Sequence, residues 1–145
     1  MRNIEFRGKC VKTGKWVYGT VVPLTGTRVA ITNEYPLVNG RFISPKQTTI
    51  RGIMNLVEVQ PETVGQYTGL YDNHFKKIFE GDIDKFKAIK GHYAYGQIVW
   101  DKKNTGFFSI GKGKKNKHYS PIFYMVNTVE IEIIDNIHDN PELLS

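Results

Sequence analysis

The sequence predicts a mainly β protein: two small β-rich units, the C-terminal one a small barrel, with few short helical turns. Three observations carry this. The 145 residues are 40% hydrophobic and 12% aromatic, the composition of a folded domain. β-Branched and aromatic residues gather in short runs broken by Gly, Pro and Asn. No long stretch shows the three-and-four apolar spacing of an amphipathic helix. The length allows one domain or two small ones, and such a chain buries enough surface to fold without a metal or disulfide.

The elements follow in order. "IEFRGK" and "KWVYGT" flank a Thr13-Gly14 turn and read as a hairpin. "TRVAIT" (27–32) is a third strand, entered through "PLTGT". The next segment carries Pro36, Asn39-Gly40 and Pro45, residues that interrupt strands. "IMNLVEV" (53–59) is a strand ended by Pro61, which has no backbone N–H to donate. "DIDKFKAI" (82–89) and "YAYGQIVW" (93–100) form a second hairpin around "KGH". "IVWDKKNTGFFSI" forms a third, with Asn104 and Gly106 in its turn. In "VEIEII" (129–134), Val129, Ile131 and Ile133 face one way and Glu130 and Glu132 the other, as in a half-buried strand. Asn140, Pro141 and Glu142 suit the start of one terminal helical turn.

Residues 61–83, "PETVGQYTGLYDNHFKKIFEGDI", join these two sets of strands. Val64, Tyr67 and Leu70 recur at spacing three, which predicts a short helical or looped crossing. The expected organisation is an N-terminal β-rich region (1–60), a joint (61–83) and a C-terminal barrel region (84–145). Gly65, Tyr67, Gly69, Glu80, Gly81 and Asp82 are the expected structural motif of the joint. Its glycines serve positive φ or close chain approach.

The formal net charge is +6. Residues 1–65 hold nine Lys/Arg against four Asp/Glu, and the remainder eleven against ten. That balance favours anionic partners only modestly. Cys10 is the sole cysteine, so no intrachain disulfide forms, which fits a reducing cytoplasm. No secretory signal and no apolar run long enough for a membrane span is present, so a cytoplasmic location and no membrane partner are expected.

Chemical motifs are sparse. Gly65 and Gly69 lack the Lys-Ser/Thr of a phosphate loop. Glu80, Asp82 and Asp84 lie within five residues and could supply oxygens to a metal. The plainer reading is a tight turn in which Asp82 accepts nearby backbone N–H groups. His74, His92, His118 and His138 are scattered without zinc spacing and read as loop or strand-edge histidines. Ser44, Ser109, Ser120 and Ser145 lack a nucleophile-elbow context. No catalytic residue, metal or cofactor is therefore expected. The sharpest charged feature is "GKGKKNKH" (111–118), whose Lys112, Lys114, Lys115 and Lys117, with Tyr119 and nearby aromatics, could grip a nucleic-acid backbone and stack bases. The alternative is a solvated hairpin loop whose charges protect a strand edge. The aromatic set Trp16, Tyr18, Tyr93, Tyr95 and Trp100 reads mainly as core.

Several blocks together resemble the YopX family of small proteins from phages and prophages of Gram-positive bacteria. They are "IEFRGKCVKTGKWVYG", "VEVQPETVGQYTGL", "KKIFEGDI", "GQIVWD" and "IIDNIHDNPELL". The resemblance runs from about residue 2 to residue 144. It implies a β-rich N-terminal region, a small SH3-like barrel after it, and no established activity. This chain departs from the pattern twice. His74 and Phe75 stand where the resemblance implies a flexible Asn-Gly-like turn, leaving Phe75 to pack. Asp84 stands where it implies an apolar residue. The resulting expectation is a non-enzymatic β-rich interaction module in the host cytoplasm, with self-association or an unknown protein partner. Nucleic-acid binding through the lysine loop is the alternative, and a metal-dependent enzyme using Asp82 and Asp84 the third reading.

Overall fold

The computed structural model describes residues 4–32, 37–38, 41–42, 56–88, 91–111 and 117–145. The architecture is mainly β, in two units, Ile4–Gly65 and Gln66–Ser145. The dividing point therefore falls inside the segment expected as a joint.

The N-terminal unit contains β1 (Phe6–Lys9), β2 (Trp16–Pro23), β3 (Val29–Thr32), β4 (Leu37–Val38), β5 (Arg41–Phe42) and β6 (Val57–Val59). The order β6-β3-β2-β1 is antiparallel throughout. β1 and β2 form the expected hairpin, with Arg7 opposite Tyr18, and Gly14 takes a φ of 67° in its turn. β4 and β5 pair separately, Leu37 opposite Phe42. Of the predicted strand 53–59, residues 53–55 lie outside the described residues. Ala30, Ile31 and Val59 are buried, and Cys10 forms a bridge to Val59. A Cβ on Gly8 would come within 3.0 Å of the Val59 side chain, so β1 needs glycine there to lie this close. Arg28, just before β3, donates two hydrogen bonds of 2.7 Å to Glu58 of β6 at the surface.

The C-terminal unit holds β7 (Gly65–Tyr71), β8 (Lys77–Phe79), β9 (Asp82–Lys87), β10 (Tyr93–Asp101), β11 (Gly106–Gly111), β12 (His118–Pro121), α1 (Ile122–Thr128) and β13 (Ile131–Asn136). A 3-10 turn over Pro141–Leu144 follows, at the predicted place. Five strands make one antiparallel sheet in the order β12-β11-β10-β9-β13. β9–β10 and β10–β11 are the two predicted hairpins. The core gathers Ile78, Ile98, Ile122, Met125, Ile131 and Ile133. Ile131 and Ile133 point inward and Glu132 does not, as the alternation predicts.

Two expectations are corrected. The small SH3-like barrel is not what the described strands form. β12 and β13 are the two edges of an open sheet, and α1 leads away from β12 to lay Ile122 and Met125 on the core. The helical or looped crossing near Tyr67 is instead strand β7. Tyr67 lies opposite Phe79 and Tyr71 opposite Lys77, so four steps along β7 match two along β8. Gly69, at a φ of 88°, lies within this bulge. The bulge resets the alternation, and that is why Tyr67 and Leu70 lie three apart rather than two; Val64 precedes the strand. Thr68 stabilises it by donating its hydroxyl to the Ile78 carbonyl at 2.9 Å.

Candidate functional site: a buried Asp–Ser–His row

The polar centre of the C-terminal unit is built from four strands. Asp84 on β9 and Ser109 on β11 are both 0% exposed. The Ser109 hydroxyl lies 2.7 Å from Asp84 Oδ1 and 2.8 Å from His118 Nε2 on β12. All three polar atoms converge over Gly96 of β10. A Cβ at Gly96 would sit 2.7 Å from His118 Nε2 and 2.9 Å from Asp84 Oδ1, and closer still to Ser109 Oγ. Phe86 meets the His118 ring edge-on at 4.9 Å. Asp84 Oδ2 has no hydrogen-bond partner among the described residues. Burial pushes the Asp84 carboxyl up to about 6. The Ser109 hydrogen bond and the Asp84 backbone N–H pull it down, the Asp82 charge pushes it up, and the Gly96 N–H pulls it down.

The residue types match a hydrolytic triad, but the wiring differs. A nucleophilic serine needs histidine as base and an oxygen open to substrate. Here serine is central, bound on both sides, and sealed from solvent. The Ser109 oxygen is enclosed between Asp84 and His118 and is not open to a substrate. Among the described residues no three His, Cys, Asp or Glu side chains converge to hold a metal. Asp82 Oδ2 accepts the Phe79 N–H at 2.7 Å.

The remaining predicted site residues fall as follows. Gly65 and Tyr67 are buried in β7, and the Tyr67 ring packs against Phe79 at 5.5 Å. Gly69 lies in the bulge. Glu80 accepts the Trp100 N–H at 3.4 Å. Gly81, at a φ of 84°, donates its N–H to the Ile98 carbonyl at 2.8 Å and accepts the Ile137 N–H at 2.9 Å. Glu80, Gly81 and Asp82 thus shape the β8–β9 turn. Lys112, Lys114 and Lys115 lie outside the described residues, while Lys117 is exposed. Tyr119 stacks on Phe108 at 4.6 Å, and its hydroxyl bonds Asp101 and Asn104. Asp101 is held below the usual carboxylate range, first by Tyr119 and then by Asn104.

Sequence reading missed three participants. Ser109 had no motif, His118 read as an edge histidine, and Gly96 read as an ordinary strand residue. The only sequence sign was Asp84 itself, an acid where the family resemblance implies an apolar residue.

The surface of the same unit carries large apolar groups. Phe123 is 70% and Tyr124 63% exposed on α1. Beside them lies a groove of about 410 Å³ that includes Leu70, Phe107, Pro121 and Ile122. Phe75 is 87% exposed and holds a φ of 61°, a left-handed conformation that a bulky side chain rarely takes. It does not pack, because that backbone turns its ring outward. No helix among the described residues is long and apolar enough to cross a membrane.

The profile of a family described as YopX protein matches residues 5–145. Among solved structures, protein EF1440 from Enterococcus faecalis is similar, with a TM-score of 0.55 at 18% identity over 100% of both chains. That likeness concerns the fold. No curated protein matches.

Proposed function

This chain belongs to the YopX family, and on that premise we propose that it is a non-enzymatic, β-rich interaction module of a phage or prophage, acting in the host cytoplasm. The supporting observation is a contrast within the C-terminal unit. Its one described group of reactive side-chain types, Asp84, Ser109 and His118, holds the Ser109 oxygen buried between its two hydrogen-bond partners. Its large apolar side chains Phe123 and Tyr124 stand in water beside an apolar groove. Exposed aromatics next to a groove suit protein contact. Self-association is one form this takes.

The test uses the full chain and a Phe123→Ser/Tyr124→Ser double variant. Light scattering across a concentration series reads self-association, and capture from nuclease-treated induced host cells reads a protein partner. A mass increase or captured partner that the double variant loses supports the reading. A monomer at every concentration, with identical capture by both proteins, overturns it.

The net charge of +6 and the exposed Lys117 favour nucleic-acid binding as the second reading. It predicts affinity that falls steeply with salt and is lost when Lys112, Lys114, Lys115 and Lys117 become Ala. Binding that survives this change removes the site.

A further inference from the structure

The protein's net positive charge comes from one stretch. Residues 85–119 hold nine lysines and one acid, Asp101, while the other 110 residues hold eleven Lys/Arg against thirteen Asp/Glu. The stretch runs from the end of β9 through the β10–β11 hairpin to the start of β12, all in one sheet. Pairing register decides which of its side chains share a face. Ala94, Gly96 and Ile98 of β10 are buried, and α1 adds Ile122 and Met125 to the core on that side. The opposite face holds Tyr93 across from Lys87, Tyr95 across from Lys85, and the row Gln97, Ile110, Tyr119.

Two of these tyrosines stand in water. Tyr93 is 56% and Tyr119 51% exposed, although the aromatic set containing Tyr93 reads from sequence mainly as core. The Tyr119 ring rests on Phe108 at 4.6 Å and its hydroxyl bonds Asp101 and Asn104, so the ring is fixed while the residue stays half in water. The Lys85 ammonium sits 4.4 Å from the Tyr93 ring centre, and Lys87 is exposed. Lys117, two residues before Tyr119, is exposed as well. Two acids bound the face. Glu132 lies opposite Lys85 on the edge strand β13, and Asp101 is held by Tyr119 and Asn104. Two strands across and four residues along, the Tyr93 and Tyr119 backbones stand about 17 Å apart.

We propose that this face binds single-stranded nucleic acid, with Tyr93 and Tyr119 stacking bases and Lys85, Lys87 and Lys117 meeting phosphates. The inference rests on the nucleic-acid reading above and moves its centre from the lysine loop to the sheet. Nine positive charges against one in 35 residues suit a polyanion. The tyrosines select the form of that polyanion. A base stacked inside a duplex has no face to offer a ring, whereas an unpaired base does. Every base has such a face, so the site is tolerant of sequence. Lysines beside both tyrosines supply point charges that follow a phosphate backbone. A ring already fixed, as Tyr119 is, loses little freedom when a base settles on it. α1 packs on the other face of the sheet, so this site is separate from the exposed Phe123 and Tyr124.

The test is fluorescence anisotropy of the full chain with labelled oligothymidylate, oligouridylate and a duplex, each of about 12 nucleotides. At least one single strand, DNA or RNA, should bind about tenfold more tightly than the duplex. Tyr93→Ser should weaken that binding about tenfold and leave its salt dependence unchanged, and Tyr93→Phe should bind like the unmodified protein. Tyr119→Phe, which keeps the ring on Phe108, should also retain binding. A Lys85→Gln/Lys87→Gln variant should flatten the slope of log affinity against log salt by about 0.7 per lysine. Duplex binding as tight as single-strand binding overturns the inference. If Tyr93→Ser has no effect while a Lys112→Ala/Lys114→Ala/Lys115→Ala variant loses binding, the sheet site falls and the lysine loop stands. If no probe binds, both fall.

Discussion

Asp72 and Ile133, sixty-one positions apart, are joined by a hydrogen bond: the Ile133 N–H donates to Asp72 Oδ2 at 3.0 Å. The other carboxylate oxygen accepts the His74 N–H at 2.9 Å and the Lys76 N–H at 2.8 Å. Asn73 adds its own N–H to the Ile131 carbonyl at 3.0 Å. One buried acid thus closes the β7–β8 turn and pins it to β13. Asp72→Ala strips acceptors from three backbone N–H groups and should lower unfolding free energy by about 3 kcal/mol. Urea denaturation measures this, and a loss below about 0.5 kcal/mol would show that the turn closes without it.

The same turn stores strain at Phe75, whose side chain gains little from burial to offset its left-handed backbone. Phe75→Gly should raise stability by about 1 kcal/mol, since glycine adopts this conformation freely. Thermal unfolding reads the change as an upward shift in midpoint. An unchanged or lower midpoint would mean that the ring contributes a contact stronger than the strain.

Gly96 is the floor of the buried row. Gly96→Ala should cost about 3 kcal/mol, because the new methyl displaces polar atoms that have nowhere else to bond. His118 NMR signals should move with it. Wild-type stability and unmoved His118 signals would contradict the crowding described.

The Asp84 carboxyl, raised to about 6 in the folded protein, ordinarily titrates near 3.8. Folding therefore favours its protonated form. The stability it contributes is fully present below the unfolded value and is lost as pH rises through about 6. Denaturation midpoints should fall between about pH 4 and pH 7 by an amount worth at most roughly 3 kcal/mol. Asp84→Asn should flatten that slope. An equal slope in the variant would assign the titration to another group.

What the sequence made legible depended on distance along the chain. The Thr13-Gly14 and Asn104-Gly106 turns sit beside the strands they connect, so local chemistry revealed both hairpins. Ile131 and Ile133 alternate with Glu132 on one strand, so their burial could be read directly. β7 was obscured because a bulge at Gly69 breaks the period that identifies strands. The buried row was invisible for a different reason. Asp84, Gly96, Ser109 and His118 come from four strands, and only the pairing register brings them together. No local pattern marks a serine whose partners lie 25 positions before it and nine after it.

Cys10 gives the molecule a built-in stopwatch. It is the chain's sole thiol, buried where the backbone bridges to Val59 in the N-terminal unit. A thiol-specific dye can therefore label only when that site opens, and the C-terminal unit stays silent. The Thr13 hydroxyl, then the Thr13 and Lys12 backbone N–H groups, hold the thiol below its usual range. Labelling of this one thiol therefore times the breathing of one half of the protein alone.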